Sequence, residues 1–293
     1  MKRLIRFFAF MCMLAMHLVL VNPIFGKDMH PAVSNLVDRL HMDGLDEQYL
    51  QDLFSRPDLK LMPQAIAKSL MRKEANLNYA QFLEKYSVDR TISYLKTHRK
   101  SLEKMEGHFR VSAPVVVAIL SVETSCGRYM GKFETVNILV TQTLSLEPVI
   151  YRQIYDYIPV KEKSNLTPQR VRKRLEQKSA RAYPELKALL IYSKDHGVDP
   201  FLVKGSLEGA IGLPQFLPSN IKRYGFDGNG DGKIDLFQHE DAITSVASYL
   251  QAHKWREDYT YRQKKKIIRN YNQSDYYANT VLKLAELLAN HWP

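Results

Sequence analysis

With 293 residues, the chain is long enough for one large domain or two small ones and for a substantial core. Its 42 lysines and arginines against 31 aspartates and glutamates give a formal charge of +11, so the expected contact is an anionic surface or polymer. Nucleic acid is the usual partner of a basic chain, but the export signal at the N-terminus argues against it, and cell-wall polymers fit better.

Residues 1–26, "MKRLIRFFAFMCMLAMHLVLVNPIFG", open with Lys2, Arg3 and Arg6, continue as an apolar stretch and carry no acid, which is the pattern of an export signal. A periplasmic or cell-surface location follows. Gly26 is a suitable small residue for cleavage, although no A-x-A pattern precedes it. The alternative is an uncleaved anchor, because the apolar stretch approaches the length at which signals and spans overlap; membrane contact is expected only in that form. Phe10 and Met11 before Cys12 speak against lipidation. Removing the signal takes away three cations, lowering +11 to +8, and leaves Cys126 as the only cysteine, so no intrachain disulfide is available.

From Pro31 to Leu120 the segments "SNLVDRL", "LDEQYLQDLF", "PQAIAKSLMRKEANL" and "TISYLKTHRKSLEKMEGHF" place apolar residues three and four apart. No run alternates as a strand does, so the expected class is mainly α. The run "SAPVVVAIL" leads into "SVETSCGRYMGKF": Ser112 is the expected N-cap, Pro114 sits in the first turn and Gly127 supplies the stop. Glu123 then falls in the last turn. There the negative end of the helix dipole and the apolar neighbours both favour its neutral form. A carboxylic acid that keeps its proton near neutral pH is what general-acid cleavage of a glycosidic bond requires. The competing reading is a solvent-exposed glutamate on the outer face of a core helix. Cys126 has no His or Asn arrangement beside it in sequence and reads as a packing residue.

Residues 160–187 form a charged segment in which Thr167 and Pro168 open another helix. Arg170, Arg172, Lys173, Arg174, Lys178 and Arg181 make it basic, and a solvated face is favoured over a glycan-contacting one. In "KGSLEGAIGLPQFLPSN" the glycines and prolines imply tight turns and close approach, and Ser206 and Gln215 can hydrogen-bond sugar hydroxyls or N-acetyl groups. "DGNGDGKIDLFQHED" follows the start of a calcium loop. Asp227, Asn229 and Asp231 occupy positions one, three and five, Gly232 makes the turn, Lys233 offers its carbonyl and Asp235 stands at nine. Gln238 at twelve breaks the pattern. Oxygen donors of this number favour Ca²⁺ over thiolate-binding metals, and a metal-free Gly-Asn-Asp turn is the alternative.

"SVETSCGRYMGKF", taken with the segment from Lys204 to Trp255, resembles the lytic murein transglycosylases of the membrane-bound B type. The Glu-Thr-x-x-Gly-Arg motif, the Gly-Ala-x-Gly-x-x-Gln-Phe-x-Pro-Ser motif and the Asp-rich loop occur in family order. A third match lies in "YNQSDYYA", where Tyr271, Asn272, Ser274, Tyr277 and Ala278 fit Tyr-Asn-x-Ser-x-x-Tyr-Ala. The resemblance runs with gaps from about Gly44 to the C-terminus. It implies a lysozyme-like helical catalytic domain with an EF-hand-like calcium loop, Glu123 as the single catalytic residue, and Ser206, Gln215, Tyr271 and Asn272 lining the cleft. It also makes Asp241 the closing calcium ligand. In that chemistry one carboxyl protonates the glycosidic oxygen and then takes the proton of the muramic C6 hydroxyl, leaving a 1,6-anhydromuramic end. Peptidoglycan glycan strands are the implied partner, with other cell-wall enzymes as further candidates. Calcium would be structural, and no organic cofactor is expected.

Several features depart from the family pattern. The segment between Thr143 and Leu189 is longer, little separates Trp255 from Tyr271, and Glu208, Cys126 and Pro214 are unusual at their positions. Glu208 raises the rival of a muramidase with a second carboxylate. A non-catalytic wall-binding protein is the rival from another class, and a calcium sensor is disfavoured because a single loop lacks a paired partner. The expected organisation is a signal peptide over 1–26, an N-terminal helical region over 27–100 packed on the catalytic domain, and a lysozyme-like domain over 101–293.

Overall fold

The apolar spacing read above folds as helices throughout a computed structural model that describes residues 30–72 and 78–293. The expected signal peptide over 1–26, with Cys12, lies outside the described residues. Three helices lead: α1 Pro31–Met42, α2 Glu47–Phe54 and α3 Pro63–Met71. After a 3₁₀ turn at Tyr79–Leu83 come α4 Lys85–Thr97, α5 Arg99–Phe109, α6 Ala113–Thr124 and α7 Thr135–Thr143. Next are α8 Pro148–Asp156, α9 Val160–Lys163, α10 Pro168–His196 and α11 Pro218–Tyr224, and the chain finishes with α12 His239–Ala252, α13 Tyr261–Tyr271 and α14 Asp275–Ala289. Buried residues from Ala32 to Leu288 form one continuous hydrophobic cluster. The division expected at residue 100 falls inside α5, and no break in the core accompanies it.

Helix α6 is the axis of this core. Every residue from Ala113 to Val122 is buried, as befits a helix that is apolar all round. It packs chiefly on α14 and also touches α4, α5 and α12. Ser112 is its N-cap, yet the Ser112 side chain makes no capping bond. Two carboxylates, one distant and one from the preceding helix, do that work: Glu257 Oε1 accepts from Ser112 N at 2.9 Å, and Glu106 Oε1 accepts from Ala113 N. Both stand at the positive end of the helix dipole. The stop comes earlier than Gly127. Ser125 and Cys126 already adopt left-handed backbone, with φ of 52° and 59°, before Gly127 at 93°. Thr124 holds this turn, accepting from Gly127 N at 3.0 Å and donating to Leu213 O at 2.9 Å.

Two strands of two residues each, β1 Phe133–Glu134 and β2 Lys204–Gly205, pair antiparallel with Phe133 opposite Gly205. Neither strand is visible in the residue pattern, because two residues are too few to alternate. From β2 the chain doubles back through bridges between Gly205 and Ile211 and between Ile211 and Phe216. The α1–α3 region packs on the rest through specific bonds. Lys60 N donates to Asn137 Oδ1 at 3.1 Å, Arg56 pairs with Asp199 at 3.0 Å, and the Tyr183 hydroxyl donates to Asp43 at 2.8 Å. The long helix α10 begins as expected, with Thr167 as N-cap and Pro168 following, and it runs on to Gly197 in left-handed backbone. Among the described residues no single helix is long and apolar enough to cross a membrane.

Gly131 lies directly against the backbone of β2. Gly131 has φ of 96°, and a Cβ there would stand 2.2 Å from the carbonyl group of Gly205. Gly131→Ala is therefore expected to lower stability by more than about 2 kcal/mol. Chemical denaturation would read this as a lower midpoint at constant slope, and an unchanged midpoint would contradict the packing described.

Candidate active site

Glu123 sits in the last turn of α6, as its sequence position predicts, and is partly buried. Burial raises its carboxyl from an ordinary 4.5 to about 7, while a hydrogen bond from Tyr277 pulls the other way. The Tyr277 hydroxyl donates to Glu123 Oε1 at 2.7 Å. Burial and then the neighbouring Glu123 push the Tyr277 phenol well above its usual range, so it remains a donor at any ordinary pH.

Local sequence explains why Tyr277 is there. Asn272 closes α13 in extended backbone, and its Oδ1 accepts from Ser274 N at 3.3 Å. Ser274 then caps α14 by accepting from Tyr277 N at 3.1 Å. The segment "YNQSDYYA" is thus a helix break that aims one tyrosine at the catalytic candidate. Tyr271 stands beside it, its ring stacked on that of Tyr277 with centroids 6.3 Å apart. The Tyr271 hydroxyl donates to Pro214 O at 2.5 Å, tying the same break to the glycine-rich loop.

That loop is fastened at several points. Gln215 has φ of 49°, and its side-chain amide donates to Gly212 O at 2.9 Å and Met130 O at 3.2 Å. Gln142 donates to Leu207 O at 2.9 Å. Ser206 Oγ accepts from Glu208 N at 3.2 Å and Ala210 N at 3.1 Å, leaving its hydroxyl hydrogen for another acceptor. Glu123, Tyr271 and the Leu213–Gln215 stretch are therefore joined through Thr124, Tyr277 and Pro214. Asn272 adjoins Tyr271 in the chain, while Ser206 lies at the β2 end of the loop and shapes its turn. Tyr277 is the residue missed as a member of the site. It was visible as a motif match, but a tyrosine 154 positions from Glu123 shows no sequence sign of touching it.

Two other expected features take definite form. Glu208 is clamped from α10: Lys178 Nζ reaches its two oxygens at 2.7 and 2.6 Å, and Arg181 reaches Oε2 at 2.6 Å. Burial lowers the Lys178 pKa against the opposing pull of Glu208. The basic run is thus more than a solvated face, since Arg174 also donates to Leu70 O at 2.6 Å. Cys126 is a packing residue as read, with burial pushing its thiol up to about 12.

In the Asp227–Asp241 loop, Gly230 and Gly232 adopt left-handed backbone. Asp227 Oδ2 accepts from Gly232 N at 2.8 Å, and Asp231 Oδ1 accepts from Lys233 N at 2.9 Å. Asn229 Oδ1 accepts from Asp231 N at 2.9 Å, and Asp235 Oδ1 from Phe237 N at 2.9 Å. Asp241 is wholly buried, accepting from Gly228 N at 2.9 Å and Asp235 N at 2.7 Å, and burial raises its pKa. These oxygens meet backbone amides. Among the described residues no three His, Cys, Asp or Glu side chains are placed to hold a metal ion.

The sequence profile described as "Transglycosylase SLT domain" matches residues 28–267. The chain is 28% identical over 238 residues to membrane-bound lytic murein transglycosylase B of Escherichia coli K12, covering 77% of this chain and 58% of that protein's length. Its fold is similar to soluble lytic transglycosylase SltB1 from Pseudomonas aeruginosa, with a TM-score of 0.72 and 23% identity over 89% of this chain and 99% of the other. It is also similar to the Escherichia coli lytic transglycosylase Slt35 in complex with calcium, with a TM-score of 0.71 and 22% identity over 92% and 99%.

The raised pKa has a thermodynamic sign. A carboxyl whose folded pKa lies above 4.5 stabilises the fold relative to a non-titrating group at low pH, and that advantage is lost as pH rises through about 7. Across that window the parent is expected to lose up to about 3 kcal/mol relative to Glu123→Gln. Carbon-13 titration of Glu123 should give a midpoint near 7. Tyr277→Phe, which removes the bond that lowers it, should move the midpoint higher; a downward move would refute the assigned geometry.

Proposed function

The chain belongs to the Transglycosylase SLT domain family, and on that premise we propose that it is a lytic transglycosylase. Its substrate is the β-1,4 bond between N-acetylmuramic acid and N-acetylglucosamine in the glycan strands of murein. The observation that carries this reading is a carboxyl group at the end of an apolar helix, raised to about 7 and bonded to a buried tyrosine. Ser206, Gln215, Tyr271 and Asn272 are the residues proposed to meet the sugar. The reaction belongs outside the cytoplasm, where the export signal read in residues 1–26 would deliver the chain.

Glu123 begins protonated. Its proton passes to the glycosidic oxygen as the bond to the muramic anomeric carbon breaks, and the glucosamine side leaves as a neutral alcohol. The carboxylate then takes the proton of the muramic C6 hydroxyl, whose oxygen bonds to the anomeric carbon. Glu123 regains its proton, and no water is consumed. Tyr277 engages Oε1, which leaves Oε2 to carry the proton. Burial favours the acid and the tyrosine bond favours the carboxylate, so neither form is deeply trapped. Glu208 does not suit the water-activating base of a muramidase, because Lys178 and Arg181 occupy its oxygens.

Calcium is proposed as a brace for the loop that follows the Gln215 segment. The donor chemistry fits a hard cation, the two left-handed glycines fit the turn, and the buried Asp241 carboxylate would gain from a neighbouring charge. Asp227, Asn229, Asp231, the Lys233 carbonyl, Asp235 and Asp241 would hold the ion. Its contribution is structural, with no part in the proton transfers.

Mass spectrometry of murein digested with purified protein tests the reaction. Anhydromuramic ends should dominate in the parent and in Glu208→Ala, while a folded Glu123→Gln should lose at least about a hundredfold in rate. Reducing ends that vanish in Glu208→Ala would establish hydrolysis instead.

Calorimetry tests the ion. Millimolar calcium should raise the melting temperature of the parent and of Glu123→Gln but not of an Asp227→Ala, Asp231→Ala double variant. Absence of both a binding heat and a thermal shift would remove calcium from this chain.

A further inference from the structure

Helix α13, "YRQKKKIIRNY", carries five cations and no carboxylate in eleven residues. Other surface helices in this protein bring their own counterions at i,i+4: Lys85 with Asp89, Arg99 with Glu103 and Arg172 with Glu176. On α13, Arg262, Lys265, Lys266 and Arg269 fall at i, i+3, i+4 and i+7, a stripe of like charge that disfavours the helix carrying it. Arg262 adds a second cost, because it stands in the first turn, at the positive end of the helix dipole. The fifth cation, Lys264, is accounted for by Glu257 at 3.5 Å and by the face of Trp255.

Relief for the stripe is incomplete. Asp275 lies 3.4 Å from Lys265 and 3.1 Å from Arg269, and it is the one acid among the described residues that pairs with any of the four. Arg262 and Lys266 are exposed and have none. With Asn270 and Gln273, the four cations and Asp275 line a surface cavity of about 580 Å³, so four positive charges face one negative, a balance of +3. Ile267 and Ile268 are buried in the core and no apolar residue lines the cavity, so an occupant is held by charge and hydrogen bonds alone. None of the lining residues is part of the Glu123 site.

The complementary ligand is an anion rich in acceptors. A carboxylate brings two oxygens and one charge, which suffices for a single guanidinium; a phosphate group brings three acceptor oxygens and up to two charges, enough to engage cations on successive turns. Two arginines supply forked donors and two lysines supply point charges, the pair of side chains that phosphate sites use. We infer that the cavity on α13 is a phosphate-binding site, filled by the phosphate group of a soluble compound or of an anionic phospholipid headgroup. The inference does not depend on the murein reading. It is also separate from the membrane contact expected of an uncleaved signal, which residues 1–26 would make.

Two measurements on the purified chain at low salt test it: titration calorimetry with inorganic phosphate, glycerol phosphate and succinate, and sedimentation with phosphatidylglycerol or phosphatidylcholine vesicles. A phosphate probe should bind saturably and at least about fivefold more tightly than succinate, and R262Q with K266Q should weaken it at least about fivefold. R262K with K266R should retain most of the binding. Asp275→Asn removes the one competing carboxylate and should tighten binding by about twofold or more, a gain that no loss of folding can produce. Binding of the soluble phosphates assigns the site to a soluble compound. Sedimentation with phosphatidylglycerol but not phosphatidylcholine, lost in R262Q with K266Q while the soluble probes give no heat, assigns it to the headgroup. Silence of every phosphate probe, succinate binding as tightly as phosphate, unchanged binding in R262Q with K266Q, or weaker binding in Asp275→Asn would each overturn the inference.

Discussion

The constraint on which the rest depends is the burial of α6 with a carboxyl group in its final turn. A helix without a polar face must be surrounded, and α4, α5, α12 and α14 supply the surround. Once surrounded, its two ends are electrically opposite. The positive end receives two carboxylates, Glu106 and Glu257, which answer its amides. The negative end receives Glu123, which is stable there because it can hold a proton. The packing that gives the protein its core thus also sets the acidity of its candidate catalyst.

Around that end, the other elements position few atoms but do so redundantly. Thr124, Tyr271 and Gln215 each reach a backbone carbonyl in a neighbouring segment, so the glycine-rich loop is pinned by hydrogen bonds across the chain. Helix α10 adds the Lys178 and Arg181 clamp on Glu208 from outside. A loop held in this way can present Ser206 and Gln215 without refolding when a ligand arrives, which limits the ordering entropy of binding.

Much of this was legible in the sequence. The apolar run, the proline in its first turn and the glutamate near its end predicted α6 and the raised pKa of Glu123, because these are local effects of spacing and environment. The glycine-rich loop was recognisable because tight turns demand particular residues. What escaped was long-range. That Ser112 would be capped by Glu257 from 145 positions away, or Glu123 met by Tyr277 from 154, follows from tertiary packing that no local pattern encodes. The two short strands escaped for want of length. The calcium loop is the intermediate case: its turn is written in its glycines, but its oxygens meet amides rather than gathering on one point.

The capping of α6 has an optical consequence. The chain contains two tryptophans, Trp255 and Trp292. The indole of the first donates to Glu257 at 2.7 Å, and that of the second to Glu106 at 3.0 Å, the same two carboxylates that cap the helix. Both indoles are therefore wired to the end of α6 opposite Glu123, about 15 Å away along the helix. Tryptophan emission in this protein observes the helix of the candidate acid from behind. A change in that emission on adding a ligand would report on the capped end of α6 rather than on the carboxyl end itself.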